Sequence, residues 1–270
     1  MKLLTCIGLI AALGVTASLG AQTIQPAAAP RVVAVNLPTP FDDHTGFTQI
    51  FDGASLKDWE GDPDFWRVEG GAIVGESTAD KPLSNTYIWR RNLELKDFDL
   101  KLEIKCEIGG GSGIQYRSQV GLPWRNKERS GEKPHNLQWM LTGPQADIWF
   151  PIDPQHAALA GNFFSENTGR GNLARRGEVV TIKPGMKPAI TAYLGDPNEL
   201  GGWVKINGWN QYEIIARGGV MMHFINGHLM TVLIDDDPQS NNNQPGKIGI
   251  ELETTPSKVS VRNVWVRELK

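Results

Sequence analysis

Two short stretches carry reactive groups at the same spacing. In GGGSGIQYRS, Gly109 to Ser118, Gln115 and Arg117 stand two residues apart, and in GPQADIWF Gln145 and Asp147 do the same. Residues two apart on a strand share a face. If the two strands are neighbours, the four side chains form one compact polar patch. Glu166 and Arg170 follow in GNFFSENTGRGNLA, which reads as a loop able to fold over the patch. His135 closes the preceding loop, and Gln138 leads from it into the next strand. Carboxylates and an imidazole move protons. A guanidinium faces negative charge without titrating. Amide and guanidinium forks read pairs of hydroxyls, and Trp149 and Trp209 would give flat apolar surfaces at the rim. Together these suit a hydroxyl-rich ligand. A structural reading stands beside this one. Arg117 and Asp147 could form an ion pair on a half-covered sheet, with the glutamines satisfying loop backbone. His135, after Lys133-Pro134, would then be a surface residue and Glu166 a loop cap.

The elements that must hold these residues read as strands. FDLKLEIKCEI, residues 98–108, sets Phe98, Leu100, Leu102, Ile104, Cys106 and Ile108 on one face and charged residues on the other. That is the period-two pattern of a strand with one buried face, and it makes Cys106 a small core residue. By the same alternation Ile114 and Tyr116 point inward. WRVEGGAIVGES carries a Glu-Gly-Gly turn, and VMMHFINGHLMTVLID turns on Asn226-Gly227, the strongest short hairpin signal in the chain. LQWMLT with QADIWF, YEIIARGG, KIGIELET and KVSVRNVWVREL supply further strands. Helical periodicity is nearly absent. The expectation is an all-β fold, a two-sheet antiparallel β-sandwich or jelly roll. Residues 121–135 and 151–203 read as long irregular loops, which in a compact domain are usually functional. Residues 235–246 read as a solvated connection and Arg175-Arg176 as a solvated turn.

The chain begins with one lysine, an apolar run from Leu3 and small residues up to Ala21, the pattern of a cleaved signal peptide over residues 1–21. The expected product is periplasmic or secreted, with no permanent membrane span. Residues 22–45 are rich in Pro and Ala and read as a linker, leaving 46–270 as a single domain. Beyond the signal only Cys106 remains, so no internal disulfide forms and the core must supply the stability. Net charge is −3 with no basic stripe, which argues against nucleic acid as a partner. Nine tryptophans are a surplus that either packs the core or lines a sugar-stacking surface. The oligomeric state is not written in these features. The run GGGSG opens a strand instead of a helix, so it is no phosphate cradle.

Several stretches in order, FTQIFDGASLKDWEG, WRVEGGAIVGES, FDLKLEIKC with GSGIQYRS, GPQADI, GNFFSENTGRGNLA, GWNQYEIIARGGVMMHFING and IGIELETTPSKVSVRNVWVREL, resemble the 3-keto-disaccharide hydrolase family. The resemblance covers residues 46–270 and implies a concanavalin-A-like jelly roll acting on sugars. Three departures stand out. An aromatic is replaced in Gly143-Pro144-Gln145-Ala146-Asp147, a tyrosine hydroxyl is missing in Phe163-Phe164-Ser165-Glu166, and Glu251 and Glu253 stand where many members carry a histidine.

A 3-keto sugar allows an unusual cleavage. Its ketone acidifies the C2 proton, a base removes that proton, and the C1 glycosidic oxygen leaves by β-elimination. Water then adds to give net hydrolysis. On this reading Asp147 or Glu166 is the base, Arg117 or a bound cation faces the C3 oxyanion, and His135 or the other acid protonates the leaving oxygen. Gln115, Gln138, Gln145, Trp149, Arg170 and Trp209 would bind the sugar. No cofactor is required. The carboxylates and His135 would also accept a divalent cation, although no HExxH spacing is present. The alternative from a different class is a non-catalytic, lectin-like module using the same face. The E-x-D-x-x-E signature of endo-acting jelly-roll glucanases is absent.

Overall fold

The alternation in FDLKLEIKC becomes a strand in the middle of a sheet. The computed structural model of the protein describes residues 40–107, 109–125, 136–150, 160–253 and 256–270. The expected signal peptide and His135 lie outside them. In chain order the strands are β1 (Thr48–Gln49), β2 (Trp59–Gly61), β3 (Trp66–Glu69), β4 (Ala72–Ser77), β5 (Asn85–Arg90), β6 (Phe98–Cys106), β7 (Gly111–Val120), β8 (Leu141–Trp149), β9 (Phe163–Glu166), β10 (Gly171–Ala174), β11 (Glu178–Ile182), β12 (Ala189–Tyr193), β13 (Asn210–Arg217), β14 (Val220–Ile225), β15 (His228–Asp235), β16 (Lys247–Glu253) and β17 (Ser257–Glu268). A short helix, α1 (Pro197–Gly201), starts from the side chain of Asp196, which accepts from the amides of Asn198 and Glu199.

One sheet runs β12-β11-β15-β14-β13-β6-β17-β4-β3, with β1 beside β17, and the other runs β10-β9-β8-β7-β16-β5-β2. Neighbours are antiparallel except β11 and β15, which run parallel. The expected all-β two-sheet sandwich is what forms. Phe98, Leu100, Leu102, Ile104 and Cys106 of β6 are buried, as are Ile114 and Tyr116 of β7 and Ala146 and Ile148 of β8. Each large apolar side chain so placed contributes about 1.5–3 kcal/mol. His223 sits among them, stacked on Phe163 with ring centroids 5.4 Å apart, and its Nε2 lies 2.8 Å from the Tyr116 hydroxyl. Burial holds its pKa down at about 3, so the ring is neutral.

Both glycine-rich hairpins form as expected. Gly70 and Gly71 have φ of 58° and 79° between β3 and β4, and Asn226 and Gly227 have 50° and 80° between β14 and β15. Residues 136–150 differ in detail: Leu137–Trp139 is a 3-10 turn, and one strand continues through Leu141–Trp149. The irregular stretch expected over 151–203 instead contains β9, β10, β11 and β12. These strands are four or five residues long and lie towards the sheet edges, too short to show a period. Residues 235–246 are not a solvated connection. Asp235 is buried and accepts from Ser240 Oγ at 2.7 Å and Asn242 Nδ2 at 2.8 Å. Arg176 is likewise buried, with Nε donating to the Pro197 oxygen at 2.7 Å.

Candidate active site

Strands β7 and β8 are neighbours, and their register sets Gln115 directly opposite Gln145. The Gln115 amide donates to the Gln145 side-chain oxygen, and Ser118 Oγ donates to Gln115 Oε1 at 2.6 Å. The Gln145 amide in turn donates to Asp147 Oδ1 at 3.0 Å and to Glu251 Oε2 at 2.7 Å. With its oxygen taken by Gln115, the Gln145 side chain turns its NH2 group towards the acids. Asp147 pairs across the ladder with Gly113. A Cβ on Gly113 would come 2.5 Å from Gln145 Cδ, Cγ and Nε2. The missing side chain is what lets the Gln145 amide reach both carboxyls.

The opening above this network is lined by Ser112, Gln145, Asp147, Trp149, Phe164, Glu166, Asn172 and Glu253. Strand β9 supplies Phe164 and Glu166, two apart and paired to Gln145 and Gly143 of β8. Glu166 Oε1 accepts from the Asn167 amide at 3.1 Å. Asn167 sits at φ 53° and donates through Nδ2 to Thr142 Oγ1 at 2.8 Å and the Pro123 oxygen at 3.1 Å. These bonds fasten the end of β9 to β8 and to the segment before residue 126. Behind the cleft Glu251 is 1% exposed, its Oε1 accepting from the Tyr87 hydroxyl at 2.5 Å. Burial pushes its pKa up to about 8, and the charges of Glu166 and Asp147 add to that rise against the bonds from Tyr87 and Gln145. Burial, then Glu166 and Glu251, holds the Tyr87 hydroxyl well above the usual phenol range. At neutral pH Glu251 therefore keeps its proton, and one negative charge is removed from a crowded cluster.

The expected site residues divide clearly. Gln115, Gln145, Asp147, Trp149 and Glu166 meet at the cleft or directly beneath it. Arg117 does not. Strand β7 carries one extra residue between Gln115 and Gln119, and Arg117 takes φ 49°, so the two-residue alternation fails at that point. Its guanidinium donates to the backbone oxygens of Lys96, Gly218 and Asn242 at 2.5, 3.0 and 2.7 Å and to Asp97 Oδ1 at 3.2 Å. Arg117 thus pins three connecting segments and is paired with Asp97, not Asp147. Arg170 leaves the patch too, bonded to Ser240 Oγ at 3.2 Å and 3.6 Å from Asp235 Oδ2. Trp209 lies against Arg262 of the opposite sheet, 4.1 Å from guanidinium carbon to ring centroid. Gln138 is exposed on its 3-10 turn and does not line the cleft. His135 lies outside the described residues.

Sequence reasoning missed Ser112, Tyr87, Phe164, Asn172, Glu251 and Glu253. KIGIELE does alternate, which puts Glu251 and Glu253 on the face opposite Ile248, Ile250 and Leu252. Nothing local says that β16 lies beside β7. As for a cation, the cleft carboxylates are all-oxygen donors of the kind hard cations prefer. Among the described residues, however, no three His, Cys, Asp or Glu stand where they could share a metal ion.

Two antiparallel sheets packed in this way make a jelly-roll sandwich. A Bacillus subtilis protein of unknown function with a galectin-like fold is similar in structure, with a TM-score of 0.51 and 14% identity over 82% of this chain and 94% of that one. A candidate glycosyl hydrolase from Parabacteroides distasonis matches 87% of this chain and 99% of its own, with 20% identity and a TM-score of 0.49. The carbohydrate-binding module CBM66 from Bacillus subtilis matches 84% and 98%, with 14% identity and a TM-score of 0.44. None of the curated proteins matches the sequence. The chain belongs to the family of 3-keto-alpha-glucoside-1,2-lyase-like domains, whose family model matches residues 46–267. No helix among the described residues is long and apolar enough to cross a membrane.

Proposed function

We propose that this chain is an exported enzyme that cleaves 3-keto-glycosides by base-initiated elimination followed by hydration. The observation that carries the reading is the meeting of Asp147 and Glu166 in one cleft, beside Trp149 and above a neutral Glu251. One carboxylate takes the C2 proton, and the electron pair forms the C2–C3 enolate with negative charge on the former ketone oxygen. That pair then forms the C1–C2 double bond as the glycosidic C1–O bond breaks. The leaving oxygen takes a proton from the other carboxyl group. Water adds at C1 and a proton returns to C2, which completes hydrolysis. With Arg117 held elsewhere, this reading gives the oxyanion to the exposed Asn172 amide at the cleft edge or to a bound cation. The indole of Trp149 offers a flat face to the sugar ring. Export rests on the sequence of residues 1–21.

The test is incubation of the purified protein with 3-keto-glucosides and with their unoxidised parents, following release of the aglycone sugar. Cleavage of the keto sugars alone is the expected result. Cleavage confined to the unoxidised sugars would overturn the keto-dependent chemistry, and binding of either without turnover would identify a lectin-like module.

A further inference from the structure

The described residues expose seven large hydrophobic side chains, and five of them, Met186, Ile190, Tyr193, Trp203 and Ile206, fall in one stretch of chain. Strand β12 lies in that stretch and, among the described residues, ends its sheet, paired with β11 alone. All five of its residues are exposed, with Ile190 at 48% and Tyr193 at 74%. Its sequence, AITAY, contains neither a charge nor a proline. An uncharged edge strand, bare on both faces, is a template for another strand, and proteins blunt such edges with lysine, proline, a cover or a bulge, of which β12 itself has only the bulge.

The flanking charges select the partner. The segment before β12 carries exposed Lys183 and Lys187, and the segment after it carries exposed Asp196 and Glu199. A second copy lying antiparallel sets each cationic segment against the other's acidic one, twice, while a parallel copy sets like against like. We propose that β12 is a self-association edge, along which two copies of this chain pair antiparallel about a two-fold axis. The arrangement is isologous and closes after two copies. Thr191 is the extra residue of a β-bulge, its hydroxyl 3.0 Å from Thr181 Oγ1 and 3.3 Å from the Val179 oxygen, so it stays on its own sheet. The bulge twists the edge and keeps the shared ladder short. A ladder that short belongs with exchanging dimers, not with permanent ones. The cleft lies on the other sheet, so pairing leaves it open.

Light scattering of the full chain over a micromolar dilution series reads this directly. The expected mass rises from one chain to two with concentration. Ile190→Lys stays at one chain while its thermal midpoint is unchanged, since the position is exposed. Lys187→Glu weakens dimerisation about tenfold at low salt, and added salt narrows the gap. A single-chain mass throughout, a dimer that survives Ile190→Lys, or a Lys187→Glu effect indifferent to salt overturns the proposal.

Discussion

The Gln145 amide donates to Glu251 Oε2 at 2.7 Å, tying the buried acid of β16 to the strand that carries Asp147. That reach crosses the position of Gly113, where a Cβ would stand 2.5 Å from the Gln145 side chain. Gly113→Ala must therefore push Gln145 out of its place. The expected cost is about 1–3 kcal/mol of stability, together with lost turnover, because overpacking forces a shift of side chain or backbone. Pairing it with Gln145→Ala relieves the clash. The double variant should lose less stability than the two single losses summed, since the clash is gone while the groups that Gln145 served stay unpaired, and should recover no activity, a coupling that a double-mutant cycle measures. Additive stability losses would show that the two positions do not compete for one space.

Asp147→Asn and Glu166→Gln each remove a carboxyl group that the proposed elimination uses. Loss of the base or of the acid should lower kcat for a 3-keto-glucoside by about 10²–10⁴-fold. Both replacements nearly preserve side-chain volume and keep an oxygen acceptor, for the Gln145 amide in one case and the Asn167 amide in the other. The thermal midpoint should stay within a few degrees of wild type. Activity that survives both changes, measured as initial rates at saturating substrate, would remove these acids from the mechanism.

What the sequence showed of this site followed from local alternation, and what it hid followed from interruptions and distant pairing. Ile114 and Tyr116 against Gln115, and Gln145 against Asp147, were legible because undisturbed strands alternate strictly. One inserted residue in β7 ended that logic at Arg117. The β6 core face was legible for the same reason that β9 to β12 were not. A nine-residue strand in mid-sheet has room to show its period, and a four- or five-residue strand near an edge does not. Glu251 was hidden differently. Its strand was evident, but β16 joins β7 across more than a hundred residues of intervening chain, and no local pattern encodes that neighbour.

Arg117→Met should behave as a structural lesion. The guanidinium is buried and holds the oxygens of Lys96, Gly218 and Asn242, and these lose their donors together. The Asn242 oxygen is buried, and an acceptor left unpaired there costs about 1–3 kcal/mol, while Lys96 and Gly218 are exposed and their oxygens can turn to water. A drop of that order in urea-unfolding free energy is expected, with kcat per folded molecule close to wild type. A folded, stable Arg117→Met protein without turnover would return the residue to the chemistry.

The raised pKa of Glu251 makes stability depend on pH with a definite sign. The folded carboxyl keeps its proton up to about 8, while the unfolded one releases it near 4.5, so the folded state holds the extra proton across that window. Stability from this group is complete below about 4.5 and is lost as pH rises through about 8. Glu213, pushed up to about 7 mainly by burial and then by Asp99, acts in the same direction up to that pH. His223 acts oppositely. Its imidazole, held down at about 3, refuses a proton that the unfolded ring takes near 6.5, so stability from this group falls as pH drops below 6.5. The interval from about 7 to 8 is therefore governed by Glu251 among these three. The thermal midpoint of the wild type should fall across that interval. Glu251→Gln, which can still receive the Gln145 amide and meet the Tyr87 hydroxyl, should flatten the fall there, while Glu213→Gln should act only at lower pH. Calorimetric scans at half-unit steps of pH would decide it, and a Glu251→Gln midpoint that drops as steeply as wild type would place the titrating group elsewhere.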